Sequence, residues 1–236
     1  MEPVTIGVVI PVRDEELLLR RCLRSVAVSA RHPRLRRRVE IGVVLDLCTD
    51  ASGQIATDEL ARERLGEPIL SFAGNVGLAR AQGADALLAR GASTLVFTDA
   101  DCVVEREWLV SHVSQQADAV CGTVSVDGWA DMPAGAIATY ATSYLDRDGH
   151  RHVHGANLSV SAAAYLDVGG FSAVPCDEDV ALVAELERHG HRVAWSAAPR
   201  VWTSSRRLSR VDGGFATRLH RLAVSHAKRP EIVVQP

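Results

Sequence analysis

Residues 95–102 read LVFTDADC, an apolar run that ends in two aspartates one residue apart. With the two residues before it, the run predicts a strand at 93–101 that is buried on both faces, and alternation along this strand sends Asp99 and Asp101 to one side and Ala100 to the other. Two like charges at one strand end repel each other, and a divalent cation with a substrate diphosphate would relieve that repulsion. The alternative is a strand-to-loop turn whose aspartates cap the next helix.

Similar apolar runs occur at 4–12, 39–47 and 68–72, and helical patterns rich in Leu, Ala and Arg lie between the runs. Those helical patterns, together with the ones after Asp101, fall at 14–30, 51–65, 76–89, 105–116, 134–145, 161–168, 179–189 and 214–229, with one more strand at 118–126. This order predicts an α/β fold with a mixed, mainly parallel sheet and helices on both faces. In such sheets the ligand binds beyond the carboxyl ends of the strands.

Composition limits the classes of protein that fit the chain. The 236 residues are 47% hydrophobic and 23% charged, with a net charge of -3, which predicts one globular domain and no nucleic-acid partner. The five cysteines have no spacing typical of a zinc site. The acidic start and the lack of an apolar run of about 18 residues argue against a signal peptide and a membrane span, so a cytoplasmic protein is predicted.

Six segments, in chain order, carry a resemblance to a known family. They are VVIPVRDEE, VVLDLCTDAS, NVGLARAQGAD, LVFTDADC, GANLSVSAAAYLDVGGF and CDEDVALVAELERHG. Together they resemble the inverting family 2 glycosyltransferases, whose catalytic unit has the nucleotide-diphospho-sugar-binding fold called GT-A. The resemblance implies a single GT-A domain over 1–236, with a nucleotide-sugar-binding half at 1–101, an acceptor-binding half at 102–203 and a C-terminal loop and basic helix at 204–236.

The resemblance implies a donor site at the carboxyl ends of the first strands. It assigns to that site Pro11, Val12, Arg13, Glu15, Asp46, Asn75, Arg80, Asp99, Ala100 and Asp101. Asp99 and Asp101 would hold Mn²⁺ or Mg²⁺. Asp46 lies in LDLCTD, where the family has an Asp-Asp-Gly-Ser-Thr-Asp run. Because of this difference, the identity of the donor's nucleobase stays open. Arg80 either binds a phosphate through the N–H donors of its guanidinium or is a charged residue on the solvent-exposed face of a helix.

For the acceptor half, the resemblance implies that Gly155, Asn157 and Gly170 shape a sugar and acceptor pocket. Asp179 aligns with the family's general base and Glu178 precedes it, so both are predicted catalytic residues. The alternatives are that the glycines only end a helix and that the acids only favour a helix N-terminus. The histidine-rich stretch 150–154 is interpreted as a loop.

The C-terminal part has two predicted roles. Arg206 and Arg207 lie in a stretch rich in hydroxyl side chains, which is typical of a lid over a diphosphate. Some relatives place a histidine metal ligand near the preceding strand end, where this chain has WTS at 202–204. The basic tail RLHRLAVSHAKRP is interpreted either as a solvated helix face or as a peripheral contact with the inner membrane face.

The function implied is metal-dependent transfer of a sugar from a nucleotide-diphosphate donor, a UDP- or GDP-sugar, to a hydroxyl with inversion. The acceptor would be a sugar, a lipid-linked molecule or a small molecule. A nucleotidyltransferase is one alternative, although IPVRDEE lacks the glycine-rich loop that it needs after the first strand. The other is a non-catalytic scaffold that binds nucleotide-sugar, which the altered LDLCTD favours slightly.

Overall fold

The computed structural model describes residues 5–129, 132–204 and 221–226. The strands in these residues are β1 Thr5–Val12, β2 Arg38–Asp46, β3 Pro68–Ser71, β4 Ala92–Phe97, β5 Cys102–Val104, β6 Ala119–Asp127, β7 Leu158–Ser161 and β8 Val193–Ser204. The helices are α1 Leu19–Ala30, α2 Ser52–Glu63, α3 Val76–Ala89, α4 Trp108–Ser114, α5 Ala134–Ser143, α6 Ala162–Asp167 and α7 Glu178–Arg188. Residues 221–226 are also helical.

All of these strands form one sheet in the order β3-β2-β1-β4-β7-β6-β8-β5. Strands β3, β2, β1 and β4 are parallel, as are β6 and β8. Strand β7 runs antiparallel to β4 and β6, and β5 runs antiparallel to β8. The predicted mixed sheet is therefore confirmed, and the carboxyl ends of β1, β2 and β4 meet at one edge.

Helices cover both faces of the sheet, as predicted, because alternate residues of each buried strand point to opposite faces. In β1, Ile6, Val8 and Ile10 pack into one core with side chains of α1, α2 and α4. Val9 packs into a second core with α3, α6 and α7. Each face of the strand thus has its own layer of helices.

Helix α3 approaches the sheet closely at Gly83. A Cβ on this residue would stand 2.6 Å from Val9 Cγ1 and 2.8 Å from Val44 Cγ2, so any side chain would push the helix outward. The helix begins at Asn75, whose Oδ1 accepts a hydrogen bond from Leu78 N at 2.9 Å. These two contacts fix the depth and the start of α3, and with them the position of Arg80.

The predicted helix at 14–30 begins later, at Leu19. Asp14 has a φ of 50°, in the left-handed region that a helix excludes. Its Oδ1 accepts hydrogen bonds from Thr49 N at 2.7 Å and from Asp50 N at 3.3 Å. The first residues of the predicted helix therefore connect the ends of β1 and β2 instead of forming helix.

Helix α5 and residues 221–226 pack against each other beside the main core. Ala223 is buried against Met132 and Ala136. Thr139 Oγ1 and His226 Nε2 are 3.1 Å apart. Across the described ranges, no helix has the length and apolar character needed to span a membrane.

Candidate active site

The two aspartates of the Asp-x-Asp pair lie in a tight turn between β4 and β5. Strand β4 ends at Phe97, and Cys102 N donates to Asp99 O at 3.1 Å, which closes the turn. The prediction that strand alternation orients the two carboxylates was therefore wrong. The turn itself brings an oxygen of Asp99, an oxygen of Asp101 and Cys102 Sγ within 4.8 Å of one another, while Ala100 is buried.

This cluster fits a divalent cation that prefers oxygen ligands, because two carboxylate oxygens converge at its surface. The thiol of Cys102 is a poor ligand, since burial and the carboxylates of Asp101 and Asp99 raise its pKa well above the ordinary value. Ser204, in the stretch where some relatives have a histidine, donates from Oγ to Asp101 Oδ2 at 3.1 Å. Asp99 and Asp101 are thus the residues that would hold the ion.

Arg80 lies behind Asp99, with only 4% of its surface exposed. It donates from Nη2 to Asp99 Oδ1 at 2.6 Å and from Nη1 to Glu178 Oε1. The solvated-charge interpretation of Arg80 was therefore wrong. Burial opposes the charge, but Asp99, Glu178 and Asp179 outweigh that effect and raise the pKa of Arg80. The predicted phosphate contact stays a prediction, and a phosphate would compete with two carboxylates.

Helix α7 begins with two acids in different environments. Glu178 is 5% exposed, and its burial raises the pKa of its carboxyl although Arg80 acts in the opposite direction. Asp179 is half-buried, and it accepts hydrogen bonds from Gly155 N at 2.5 Å and from Val180 N at 2.8 Å. Asp179 is therefore the acid of this pair that a ligand can reach, whereas Glu178 is enclosed with Arg80.

The predicted nucleotide residues after β1 lie at the same edge of the sheet. Pro11 and Val12 end the strand, Arg13 is exposed beyond it, and Glu15 is 8% exposed. The backbone N–H of Glu15 donates to Ser52 Oγ at 2.7 Å, which joins this turn to the start of α2. The structure brings these residues together, and their contact with a nucleotide stays a prediction.

Asp46 and Asn75 hold the neighbouring loop. Asp46 ends β2 and is buried, and its Oδ1 accepts from Ser71 Oγ at 2.9 Å and from Gly74 N at 3.1 Å. Asn75 caps α3 through Oδ1 and donates from Nδ2 to Val174 O at 2.8 Å. Both side chains therefore stabilise the loop, and base recognition by Asp46 stays a prediction.

Asn157 is a structural residue, and its assignment to the acceptor pocket was wrong. Its side chain is fully buried. Its Oδ1 accepts from Trp108 Nε1 at 2.9 Å and lies 3.0 Å from His112 Nε2. Its Nδ2 donates to Thr123 O at 2.7 Å and to Pro199 O at 2.9 Å. The amide uses all of its hydrogen-bonding capacity inside the core, so a sugar hydroxyl cannot reach it.

The two predicted acceptor glycines have different positions. Gly155 lies in the site, because its N–H contacts Asp179 and a Cβ on it would stand 2.6 Å from Arg80 Cζ. Gly170 instead ends α6, with a φ of 73° and its N–H donating to Tyr165 O at 3.0 Å. The structure thus agrees with the alternative that this Gly-Gly turn ends a helix, and a role of Gly170 in the acceptor pocket stays a prediction.

Arg206 and Arg207 lie outside the described residues, so the phosphate lid stays a prediction, as does the membrane contact of the basic tail. The histidine-rich stretch is a loop packed on Tyr144, as interpreted from the sequence. The ring of His152 stacks on Tyr144 at 4.2 Å between centroids, and His154 Nε2 lies 3.0 Å from the Tyr144 hydroxyl.

A cleft of about 220 Å³ opens beside Asp101 and contains residues that sequence reasoning missed. Its lining includes Trp202, which is 38% exposed, and the ion pair of Arg21 with Asp127 at 2.6 Å. Asp127 is the last residue of β6. An acid at the end of a predicted strand could therefore have identified it from the sequence. Arg21 carries no comparable signal, because many arginines lie on predicted helices.

Several solved structures with a similar fold are glycosyltransferases. TarS from S. aureus superposes with a TM-score of 0.66 at 15% identity, covering 85% of this chain and 37% of that one. GalNAc-T7 with UDP, GalNAc and Mn²⁺ has a TM-score of 0.65 at 15% identity, covering 90% and 45%. Mannosyltransferase PcManGT from Pyrobaculum calidifontis, in complex with GDP-Man and Mn²⁺, has a TM-score of 0.62 at 17% identity, covering 94% and 70%. This likeness confirms the predicted GT-A fold.

The family is shown by sequence. Residues 7–151, more than half of the chain, match the model of glycosyl transferase family 2. The chain therefore belongs to glycosyl transferase family 2, which confirms the prediction. No curated protein matches its sequence. The chain spans 37% of the length of TarS and 45% of GalNAc-T7.

Proposed function

We propose that this chain transfers a sugar from a UDP- or GDP-sugar to a hydroxyl acceptor, with Mn²⁺ or Mg²⁺ as cofactor. The observation that carries the proposal is the convergence of Asp99 and Asp101 at the edge where β1 and β2 also end. Similar structures hold UDP with Mn²⁺ and GDP-Man with Mn²⁺, which supports a nucleotide-sugar donor. Residues 1–101 would bind this donor, and residues 102–203 the acceptor.

In the proposed reaction, Asp99 and Asp101 hold the cation and Asp179 acts as the general base. When bound, the cation neutralises the charge that develops on the departing diphosphate. Asp179 takes the proton of the acceptor hydroxyl as its oxygen bonds to the anomeric carbon. The bond from that carbon to the diphosphate oxygen breaks on the opposite face and its electron pair leaves with the diphosphate, so the configuration inverts.

Glu178 has no part in the proposed proton transfer. It is enclosed with Arg80, whereas Asp179 is half-buried at the start of α7. A base must come within hydrogen-bond distance of the hydroxyl that it deprotonates. The proposal therefore assigns the base to Asp179 alone.

Thermal unfolding with UDP, GDP, CDP or dTDP, each with Mn²⁺ or with EDTA, tests this function. A ligand at 100 times its Kd stabilises the folded state by about 2.7 kcal/mol, so a bound nucleotide raises the unfolding midpoint. We expect UDP or GDP to raise the unfolding midpoint when Mn²⁺ is present. This increase should vanish in Asp101→Ala.

Asp58→Ala is the matched control, because Asp58 is an exposed acid on α2 and does not belong to the carboxylate cluster. It should keep the nucleotide shift. If no nucleotide stabilises the wild-type chain with Mn²⁺, the proposal is wrong and the non-catalytic scaffold becomes the better interpretation.

A further inference from the structure

Three separate parts of the chain meet on the guanidinium of Arg80. Asp99 comes from the turn after β4 and Glu178 from the start of α7, and both accept hydrogen bonds from Arg80. The backbone of Gly155 lies on the guanidinium, where a Cβ would stand 2.6 Å from Cζ. The N–H of Gly155 also donates to Asp179. Arg80 therefore contacts Asp99, a predicted metal ligand. It also contacts Glu178 and Gly155, which both lie next to the predicted base, Asp179.

These contacts leave Arg80 little freedom to move. Its side chain is 4% exposed, and its Cζ lies 5.9 Å from the centre of the Phe171 ring. It binds Oδ1 of Asp99, so it fixes the rotation of that carboxylate. A change at Arg80 would therefore displace Asp99 on one side and the start of α7 on the other.

The charge of Arg80 and its geometry predict opposite effects on cation binding. The site holds four carboxylates, those of Asp99, Asp101, Glu178 and Asp179, and a positive charge beside them repels a cation. If charge were the only effect, removal of Arg80 would strengthen cation binding. A partner that orients a metal ligand has the opposite effect, because its loss typically weakens metal binding about 10- to 100-fold.

We propose that Arg80 is a positioning residue that locks the metal-binding carboxylate of Asp99 and the start of the helix carrying Asp179 into one arrangement. The inference rests on the proposed function, which assigns the cation to Asp99 and the acceptor proton to Asp179. For this role, Arg80 needs no contact of its own with the donor or the acceptor. Its effect passes through the two carboxylates that it binds and through Gly155.

A titration of the protein with Mn²⁺, followed by the electron paramagnetic resonance signal of the free ion, measures this effect without sugar transfer. The double variant Arg80→Met/Glu178→Gln removes one positive and one negative charge together, so no buried charge is left unpaired. We expect its affinity for Mn²⁺ to fall about 10-fold or more. Arg80→Lys keeps the charge but lacks the planar fork, so a smaller loss is expected.

The matched control is Arg90→Met/Glu40→Gln, which removes a more exposed ion pair of 2.6 Å made by the residue that ends the same helix. It should leave Mn²⁺ affinity unchanged. The positioning role is overturned if Arg80→Met/Glu178→Gln binds Mn²⁺ as tightly as the wild type, or more tightly, even where its unfolding midpoint is lower. If the wild type binds no Mn²⁺ with UDP or GDP present, the proposed function fails first and the positioning role falls with it.

Discussion

Two buried polar clusters share one loop of this protein and serve it differently. The Arg80 cluster comprises Arg80, Asp99, Glu178, Asp179 and Gly155, and the Asn157 cluster comprises Asn157, Trp108, His112, Thr123 and Pro199. The first contains charges and includes Asp99, whose side chain is 38% exposed. The second is neutral and closed to solvent. Burial alone therefore does not separate the proposed functional residues from the structural ones in this fold.

The partners of each side chain explain the difference. A buried guanidinium needs carboxylates to compensate its charge, and carboxylates are also the groups that bind cations and take protons. A buried amide is satisfied by backbone carbonyls and ring N–H groups, which have no such chemistry. We therefore expect changes in the Arg80 cluster to alter binding and rate, and changes in the Asn157 cluster to alter stability.

The largest expected effect is on the rate of sugar transfer in Asp179→Asn. An amide cannot take the acceptor proton, so the rate should fall about 100- to 10,000-fold, which is the usual contribution of a general base. Nucleotide binding should be nearly unchanged. Stability should fall by only about 1 kcal/mol, because the amide oxygen can still accept from Gly155 N but the NH2 group cannot accept from Val180 N. The measurement is kcat with the UDP- or GDP-sugar selected by thermal unfolding.

Asp177→Asn is the control for this rate, since Asp177 is exposed, lies two residues before Asp179 and has a left-handed conformation that asparagine tolerates. It should retain kcat. An unchanged kcat in Asp179→Asn would show that another group takes the proton.

The next largest effect is on the free energy of unfolding in Asn157→Ala. The change leaves the N–H groups of Trp108 and His112 and two carbonyl groups without their partner, so we expect a loss of about 3 kcal/mol or more. Mn²⁺ affinity should stay within about twofold, because the carboxylate cluster is untouched. Urea unfolding measures the free energy of unfolding, and the Mn²⁺ titration measures the affinity for the ion.

Asn75→Ala supplies the comparison for Asn157, because it removes a partly exposed cap and should cost only about 1 kcal/mol. If Asn157→Ala unfolds like the wild type but loses sugar transfer, the acceptor role of Asn157 returns and the two clusters are not distinct.

The Asn157 cluster should also make stability depend on pH through His112. Burial lowers the pKa of His112 from 6.5 to about 4. The unfolded chain therefore takes up a proton below pH 6.5, whereas the folded chain does so only near pH 4. Stability should be complete above pH 6.5 and fall as the pH drops toward 4, by about 2 kcal/mol between pH 7 and pH 5.

Urea unfolding of the wild type and of His112→Gln at pH 7 and pH 5 measures this dependence. The variant should lose less stability over this interval, because glutamine does not titrate. Equal losses in the two proteins would show that His112 is not held neutral in the fold.

The smallest expected effect compares the two glycines after α6. Both have a positive φ, so alanine at either position is strained. A Cβ at Gly170 would also stand 2.6 Å from the Tyr165 ring, whereas nothing lies within 4 Å at Gly169. Gly169→Ala should cost about 1 kcal/mol and Gly170→Ala more, with nucleotide binding retained in both. Equal losses would contradict the contact with Tyr165.

The order of elements was readable from the sequence because hydrophobic periodicity is local. Strands β1, β2 and β3 and helix α3 lie where the apolar runs and helical pattern place them, whereas β4 ends at Phe97, four residues before its predicted end. The predicted helix at 14–30 started too early, since the hydrogen bonds of Asp14 to the loop after β2 are made 35 and 36 residues away along the chain. The aspartates of LVFTDADC were recognisable as a pair, although a turn brings them together.

The sequence by itself determined the fold class, the family and the Asp-x-Asp pair, because each of these depends on neighbouring residues or on ordered motifs. Tertiary structure decided the partner of each polar side chain. Arg80 meets Glu178, 98 residues away, and the amide of Asn157 meets Trp108, 49 residues away. A motif does not encode whether a side chain faces solvent or the core, since burial depends on elements that pack over it from distant parts of the chain.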